Sequence, residues 1–231
     1  MAISSDGQIL ASCSDDTIKL WDMATGKEIL TLTGHSESVS CMAISSDGQI
    51  LASCSYKTIK LWSIATGKEI RTLTGHSCWV NSIAISIDGQ ILASCSYKTI
   101  KLWSMATGRA IRTLTDHSDS VNFIAISNNG QILASCSDNN TIKLWDVATG
   151  TEICTLAGHS ESVSSISFSS DGQMLASGSD DRTIKLWEVT TGRKICTLSH
   201  FDSVCSVAFS RDRNWLAAGD KSGNIKIWRR S

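Results

Sequence analysis

The chain has 231 residues, a net charge of −1, and 42% hydrophobic against 19% charged residues, which is typical of a globular protein. No apolar run approaches the ~20 residues that a membrane helix needs, and the first residues lack the basic and apolar segments of a secretory signal. The near-zero net charge gives no electrostatic basis for nucleic-acid binding. We therefore expect a cytoplasmic protein with no membrane and no nucleic acid among its partners.

A five-residue segment, T-I-K-L-W or a close variant, recurs along the whole chain. Its tryptophans are 41 or 42 residues apart, at Trp21, Trp62, Trp103, Trp145, Trp187 and Trp228. In most repeats an Asp-Gly or Asn-Gly turn comes first, then a short apolar strand, then this segment and a Thr-Gly turn. A period of about 40–45 residues with four short strands per unit indicates a propeller blade. No proline interrupts the strands and no helical periodicity occurs, so the predicted fold class is all-β.

The repeat fills the chain and leaves no linker, which predicts a single domain of six blades. In chain order we name the four strands of each blade a, b, c and d. The first repeat begins inside its strand a, and the last repeat ends after strand c. The sixth blade is therefore expected to have three strands. The expected blades are approximately 1–33, 34–74, 75–115, 116–157, 158–198 and 199–231.

These motifs together resemble the WD-repeat β-propeller family, in the form of the tandem repeats found in bacterial proteins. The repeats follow a common order: G-H, as in Gly34-His35, then D-G, then L-A-S-x-S, then T-I-K-L-W-D, as in Trp21-Asp22. The resemblance covers essentially the whole chain. Departures occur at the last Asp, which is Ser63, Ser104, Glu188 or Arg229 in other repeats, and at G-H, which becomes Asp116-His117 and Ser199-His200.

The resemblance implies a buried structural tetrad in each blade, made of the His, a strand-b Ser, an Asp in the b–c turn and the strand-c Trp. Only the fifth repeat matches at all four positions, with His159, Ser177, Asp181 and Trp187. In the fourth repeat Asn139 is the expected partner of His117. In the sixth, Ala218 and Ser222 replace the Ser and the Asp.

His, Ser and Asp together also resemble a hydrolase triad. A triad needs an exposed nucleophile beside an oxyanion hole, within reach of a substrate. A motif repeated around a fold and bonded onward to an indole N–H satisfies buried polar groups instead. We therefore predict no catalytic residues, no cofactor and no metal, and we do not expect the protein to be an enzyme.

The nine cysteines follow the repeat: Cys13, Cys54, Cys95 and Cys136 occupy the strand-b position of Gly178 and Gly219. No C-x-x-C occurs and the count is odd, so neither a zinc site nor a full disulfide framework is indicated. We expect small buried side chains in a reducing compartment. The lysines of T-I-K-L-W, one per blade, are expected at a solvated edge.

The favoured function is a non-catalytic scaffold for protein–protein interaction, with other proteins or peptides as partners. Fold alone is weak support for this, because propellers also host enzymes and lectins. One alternative is a recognition or sensor array of a larger bacterial signalling protein. Another is a hydrolase- or lectin-type propeller with an axial pocket, for which strand a supplies few carboxylates or aromatics.

The resemblance places the interaction face at the d–a and b–c loops. Two positions per blade are expected to be most exposed there: the residue before the b–c turn Asp, and those flanking the Val that begins strand a. Trp and Tyr are enriched among interface hot spots, which draws attention to the aromatic members of this set. The predicted face comprises Asp15, Tyr56, Trp79, Asn81, Tyr97, Asn122, Asp138 and Asp180.

Six blades are fewer than the seven that are commonest in the family, so the chain is interpreted either as a six-bladed arrangement or as a fragment of a seven-bladed ring. A closed ring completes its last blade with a strand from the other terminus. The sequence offers no such strand here. We therefore expect self-association through the incomplete last blade, at the edge near Ile225 and Ile227.

Overall fold

The computed structural model describes residues 1–229, and the regular structure in this range is antiparallel β-sheet throughout. Five sheets have four strands and the sixth has three, which confirms the predicted all-β fold with a three-stranded last sheet. None of these residues forms a helix long and apolar enough to cross a membrane. The chain divides into two compact units, Met1–Thr113 and Leu114–Ser231.

The first unit holds sheets one to three, in which the strands pair in chain order. Sheet one contains β1 (Ala2–Ile3), β2 (Ile9–Ser14), β3 (Thr17–Asp22) and β4 (Glu28–Leu32). Sheet two contains β5 (Val39–Ile44), β6 (Ile50–Ser55), β7 (Thr58–Ser63) and β8 (Glu69–Thr74). Sheet three contains β9 (Ser82–Ile85), β10 (Ile91–Ser96), β11 (Thr99–Ser104) and β12 (Ala110–Leu114).

The second unit holds sheets four to six with the same strand order. Sheet four contains β13 (Val121–Ile126), β14 (Ile132–Ser137), β15 (Thr141–Asp146) and β16 (Glu152–Ala157). Sheet five contains β17 (Val163–Phe168), β18 (Met174–Ser179), β19 (Thr183–Glu188) and β20 (Lys194–Ser199). Sheet six contains β21 (Val204–Phe209), β22 (Trp215–Asp220) and β23 (Ile225–Arg229).

The turn between the first two strands of a sheet is stabilised by its Asp side chain. In sheet two, Ser45 Oγ donates to Asp47 Oδ1 at 2.5 Å and the Gln49 amide donates to the same oxygen at 3.0 Å. Gly48 completes the turn at φ 70°, a conformation that costs glycine nothing. The Asp-Gly pairs identified in the sequence therefore fix the hairpins that set strand register.

The core of each unit lies between successive sheets. One face of sheet two presents Ala52, Ile59 and Leu61, which pack against Leu92 and Trp103 of sheet three. Equivalent residues of sheets one and two form a second such cluster, and the second unit repeats the arrangement between sheets four and five and between five and six. Full burial of one Leu or Ile side chain contributes roughly 1.5–3 kcal/mol, so this face-to-face packing dominates the stability of each unit.

The cysteines depart from the sequence-based expectation. Cys41 and Cys54 face each other on β5 and β6 and form a disulfide, with their Cα atoms 5.4 Å apart. Cys78 is exposed, whereas Cys95 and Cys136 are buried as expected. For Cys41 and Cys54 the expectation of small side chains in a reducing compartment was wrong, because in sheet two alone of the described sheets the repeat places a second cysteine directly across the strand pair, within bonding reach.

Packing explains why the strand position that carries Cys in four sheets is a glycine, Gly178, in sheet five. A Cβ on Gly178 would lie 2.6 Å from Val204 Cγ1 and 2.9 Å from Val207 Cγ1, both in sheet six. A Cβ on Gly219 would meet only the Asn224 carbonyl oxygen, at 4.0 Å. Sheet six therefore packs against sheet five too closely for any side chain at Gly178.

We predict that Gly178→Cys destabilises the protein by about 1–3 kcal/mol, although Cys occupies this strand position in four other sheets, because the core would be overpacked. Gly219→Cys is the matched control and should change the free energy of unfolding by much less. Urea denaturation of the two variants under reducing conditions measures both values. Equal losses in the two variants would contradict this account of the Gly–Cys alternation.

Candidate functional site

In sheet five, the four residues of the predicted tetrad lie in one chain of hydrogen bonds. His159 Nδ1 lies 2.7 Å from Asp181 Oδ2, and His159 Nε2 lies 2.7 Å from Ser177 Oγ. The indole Nε1 of Trp187 donates to Ser177 Oγ at 2.9 Å. The network thus ties the loop before β17 and the β18–β19 turn to the two central strands.

The β18–β19 turn positions the Asp181 carboxylate. Its Oδ1 accepts hydrogen bonds from the Thr183 amide at 3.0 Å and the Thr183 hydroxyl at 2.5 Å. Its Oδ2 is thereby directed at His159 and also accepts from the Ser160 amide at 3.1 Å. Both oxygens are used, so this carboxylate is held rigidly.

Protonation in this network follows from burial and the order of the bonds. Burial lowers the pKa of His159, against the opposing effect of its hydrogen bond to Asp181. Burial alone would raise the pKa of Asp181, but hydrogen bonds from Thr183 and His159 outweigh it and hold that pKa below its ordinary value. A neutral His159 therefore donates Nδ1–H to the carboxylate and accepts the Ser177 proton at Nε2.

The same geometry is unfavourable for the hydrolase alternative. Ser177 has no exposed surface, and His159 is 7% exposed. The Ser177 oxygen also accepts the indole N–H, which directs its remaining proton toward the imidazole. A nucleophile needs access to a substrate carbonyl, and this serine is closed off from one. The arrangement satisfies buried donors and acceptors, each of which costs about 1–3 kcal/mol when left without a partner.

Three further sheets keep the His–Ser–Trp part of the network and lack the carboxylate. The His Nε2 to Ser Oγ distances are 2.7 Å for His35–Ser53, 2.6 Å for His76–Ser94 and 2.6 Å for His117–Ser135. In all three the histidine Nδ1 is buried without a hydrogen-bond partner in the described part of the chain. Burial, with help from the nearby cations of Lys60, Lys101 and Lys143, lowers the pKa of each of these histidines to about 4.

Two partners inferred from the sequence are different in the structure. Asn139 does not bond to His117: its amide donates to Ser118 Oγ at 2.9 Å and its oxygen accepts from Thr141, because an amide has no charge to draw the imidazole N–H. In sheet six the carboxylate comes from Asp220, 2.9 Å from His200 Nδ1, and the Ser222 hydroxyl donates to Asp202 instead. Asp220 is the last residue of β22 and lies two residues before Ser222, the position that the sequence motif suggested.

Several of the T-I-K-L-W lysines are more buried than a solvated edge would be. The Lys60 ammonium lies 2.6 Å from Glu69 Oε2 and 5.9 Å from the centre of the Trp62 ring. Lys143 makes the equivalent pair with Glu152 at 2.5 Å. Lys19 keeps the expected exposure, with 44% of its side chain exposed. For Lys60 and Lys143 the expectation was wrong, because the aliphatic part of a lysine covers apolar surface while its charged end reaches a partner.

In the first unit, the predicted interaction face contains a pair of exposed aromatic side chains. Tyr56 and Trp79 are 39% and 47% exposed, and their ring centroids are 5.2 Å apart in an edge-to-face contact. The Tyr56 carbonyl accepts the Val80 amide at 2.7 Å, which joins the β6–β7 turn to the loop entering sheet three. Lys57 Nζ lies 4.8 Å from the Tyr56 ring centre.

The remaining first-unit members lie in equivalent loops. Tyr97 is 52% exposed and has Lys98 Nζ 5.3 Å from its ring centre. Asn81 is exposed near Trp79, and its backbone N–H donates to the Cys95 carbonyl oxygen at 2.9 Å. Asp15, also exposed, accepts the Val39 amide at 2.7 Å through its carbonyl.

In the second unit the predicted members act mainly as links between sheets. Asn122 is half-buried and donates to Asp138 Oδ1 at 2.8 Å and to Ser162 Oγ at 3.1 Å. Asp180 is also half-buried and pairs with Lys221 at 3.3 Å. These two residues differ from the expectation of exposed positions because their polar groups bridge adjacent sheets. Asp138 is exposed.

Within the residues described, no group of three His, Cys, Asp or Glu side chains is placed to hold a metal ion. The chain's acidic turn residues are engaged by neighbouring hydroxyls and amides, as at Asp47 and Asp181.

Comparison with known proteins identifies one family. The family described as "WD domain, G-beta repeat" matches six successive segments, which are residues 1–22, 26–63, 67–104, 108–146, 150–188 and 192–229. Each match ends one residue after the strand-c tryptophan of a repeat, and together the matches cover most of the chain. No curated protein matches the chain.

A reciprocal pair of substitutions tests the structural role of the carboxylate. Asn139 occupies the turn position of Asp181. In Asn139→Asp the new carboxylate should accept a hydrogen bond from the unpaired His117 Nδ1–H, which should stabilise the protein by about 1 kcal/mol. Asp181→Ala should cost roughly 1–3 kcal/mol. Chemical denaturation measures both, and NMR titration should show a raised pKa for His117 in Asn139→Asp. Destabilisation by Asn139→Asp with an unchanged His117 pKa would contradict the prediction.

The buried histidines also predict how stability depends on pH. The pKa of His35, His76 and His117 is about 4 in the folded protein, whereas an unfolded histidine titrates near about 6.5. As the pH falls through this window the unfolded chain takes up protons that the folded chain refuses. The free energy of unfolding should therefore fall from about pH 6.5 to about pH 4, by up to about 1.4 kcal/mol per pH unit for each histidine.

Urea denaturation at several pH values measures this slope. His117→Gln should reduce the slope of the unfolding free energy against pH by the contribution of one histidine, whatever its effect on the stability at neutral pH. A slope that is unchanged by this substitution would show that His117 does not contribute.

Proposed function

Because the chain belongs to the WD-repeat family, we propose that it is a non-catalytic module that binds another protein or a peptide, as WD repeats generally do. The observation that carries the proposal is the exposed pair Tyr56 and Trp79 at the loop end of sheets two and three. We call Tyr56, Lys57, Trp79, Asn81, Tyr97 and Lys98 the aromatic surface.

Side-chain chemistry supports this choice of surface. Tyr and Trp combine large apolar area with a polar group and few rotatable bonds, which makes them frequent hot spots of binding. Each of these rings loses little conformational freedom on binding, because the Tyr56 ring already contacts Trp79 and the Lys57 ammonium. The aromatic surface is therefore suited to hold an apolar anchor.

Backbone conformation gives a second argument. Tyr56 and Tyr97 have φ of 47° and 48°, in the left-handed region that bulky residues rarely adopt. Asp15 occupies the same turn position in sheet one at φ 50° and tolerates it better, because Asp and Asn are enriched in this region. A tyrosine at this position costs stability, which is expected where a side chain serves binding.

Charge indicates the class of partner. Lys57 and Lys98 flank the two tyrosines, and their ammonium groups lie within 4.8 Å and 5.3 Å of the ring centres. A carboxylate beside an apolar side chain would contact both an ammonium and a ring. We therefore propose that the partner segment is acidic and carries at least one large apolar residue.

Two elements of the sequence-based expectation belong to this proposal without further support. The role as an array within a larger signalling protein is one. The cytoplasmic location is the other, and the Cys41–Cys54 disulfide argues against it, because a reducing compartment keeps thiols free.

Selection of short random peptides displayed on phage tests the proposal. The protein should enrich acidic peptides with an apolar anchor, and their affinity should fall with added salt. Trp79→Ala combined with Tyr97→Ala should weaken the selected peptides by about 2 kcal/mol, or roughly thirtyfold. Ile87→Ala is the matched control, since Ile87 is 55% exposed at the other end of sheet three.

Thermal unfolding separates loss of binding from loss of fold. The aromatic variants should unfold within a few degrees of the wild type, and Tyr56→Asn should be at least as stable because it relieves the left-handed tyrosine. A sharp fall in unfolding temperature would instead make Trp79 or Tyr97 part of the core. Selected peptides that bind the aromatic variants as well as the control would reject the aromatic surface as the binding site.

A further inference from the structure

The Cys41–Cys54 disulfide is connected to the aromatic surface through its neighbours in the chain and in the core. Cys54 is fully buried, in the same cluster as Val80 of sheet three. Cys41 is half-buried and packs against this cluster. Val80 directly follows Trp79 in the chain, and Cys54 comes two residues before Tyr56. The disulfide is therefore close to the chain segments that carry both rings of the exposed pair.

Val80 is held by backbone on both sides of this disulfide. Its N–H donates to the Tyr56 carbonyl oxygen at 2.7 Å, and its own carbonyl oxygen accepts a hydrogen bond from Ser40 Oγ at 2.8 Å. Ser40 directly precedes Cys41, and Tyr56 follows the second cysteine by two residues. A change in the spacing of the two cysteine-bearing strands thus affects both hydrogen bonds of Val80, and with them the position of Trp79.

Sheet three has the same hairpin without the disulfide. Residues 91–104 have the same sequence as residues 50–63, including S-C-S-Y-K-T. Cys95, the equivalent of Cys54, is a buried free thiol, and the residue opposite it on β9 is Ser82. Of these two identical hairpins, only the one in sheet two has the cross-strand bond. The hairpin therefore forms without the disulfide, so the bond is available for a role other than folding.

We propose that the Cys41–Cys54 disulfide is a redox switch that regulates peptide binding by the aromatic surface, an inference that rests on the proposed function. In the oxidised form the bond fixes the two strands, and Val80 holds Trp79 beside Tyr56 for binding. In the reduced form two thiols occupy more space than one disulfide, and in a closely packed cluster they displace the neighbouring Val80. Reduction therefore weakens binding.

The reductant is a dithiol, either a small molecule or a protein with two neighbouring cysteines. Its thiolate attacks Cys41 Sγ, because Cys41 is half-buried whereas Cys54 has no exposed surface. The bond between the two protein sulfurs breaks, and Cys54 leaves as a thiolate that takes up a proton. The second thiolate of the reductant attacks the mixed disulfide and releases Cys41, which takes up another proton. The protein gains two electrons and two protons, and the dithiol becomes a disulfide.

Thiol trapping tests whether the bond is reduced in the folded protein. The protein is treated with dithiothreitol under native conditions, quenched with acid, then unfolded and alkylated with a maleimide. Mass spectrometry should locate the label on Cys41 and Cys54 at reductant concentrations that leave the unfolding temperature above that of the assay. A bond that stays intact until the protein unfolds would overturn the proposal.

Hydrogen exchange tests the switch without any peptide. Exchange of the Val80 N–H, followed by NMR, should be at least tenfold faster in the reduced than in the oxidised protein, because its bond to Tyr56 opens more often. The Ile64 N–H is the matched control. It donates to the Gln49 carbonyl oxygen at 2.9 Å, at the other end of sheet two, and should exchange equally in both forms. Equal Val80 exchange in the two forms would contradict the switch.

The acidic peptides selected by phage display on the oxidised protein measure the effect on binding. Their dissociation constants should rise at least fivefold on reduction. Cys41→Ser is the matched variant, because it reproduces the pair that Ser82 and Cys95 form in sheet three. It should bind like the reduced wild type, with no response to dithiothreitol. A response as large as that of the wild type would assign the effect to another cysteine, such as the exposed Cys78, and reject the switch.

The two readouts separate failure of this inference from failure of the proposed function. Selected peptides that bind both redox forms equally would overturn the regulation alone and leave the aromatic surface as the binding site. A selection that enriches no peptide on either form would reject the proposed function and the regulation with it, whatever the exchange rate of Val80.

Discussion

The structure depends on one constraint: each sheet can bury its apolar strands only against the face of another sheet. A four-stranded sheet alone leaves both faces without cover, and Ile59 or Leu144 reach full burial only because the next sheet in the unit supplies a Leu and a Trp. The same constraint explains why the period of the sequence is so regular, since each repeat must offer one face to the sheet before it and another to the sheet after it. Wherever such a face has no neighbour, the residues that would be core become surface.

Polar groups inside this packing impose a second constraint, which the repeats meet to different degrees. Sheet five completes the path from indole to carboxylate through Ser177 and His159. In sheets two to four the network ends at the imidazole, and its Nδ1 has no partner in the described part of the chain. Burial lowers the pKa of these histidines, which keeps them neutral. The network that resembles a triad thus satisfies buried groups, and its completeness depends on the b–c turn: in sheet four Asn139 replaces the carboxylate, and in sheets two and three the hairpin is shorter. A two-residue turn such as Tyr56-Lys57 offers no position for the carboxylate.

The turn that loses the carboxylate is also the turn that presents the tyrosines. In sheets two and three the shortened hairpin places Tyr56 and Tyr97 in a left-handed conformation with their rings exposed. At this turn of the repeat, sheet five therefore has the carboxylate that completes the hydrogen-bond network, whereas sheets two and three have an exposed tyrosine of the proposed binding surface. Sheets four and five keep the longer turn, and there Asp138 and Asp180 bond to neighbouring sheets and lysines.

The sequence by itself determined the repeat, the antiparallel strands, their turns and the three-stranded last sheet, because these follow from local periodicity and turn chemistry. The resemblance of its motifs to the WD-repeat family also marked His159, Ser177, Asp181 and Trp187 as one set, because these residues occupy the four tetrad positions of the family. Only the tertiary structure decided which partners meet across the repeat: Asp220 with His200, Asn139 away from His117, Cys41 with Cys54, and Tyr56 with Trp79. The reason is physical: the direction of a side chain in a turn, and the distance between two sheets, depend on packing that no single repeat encodes.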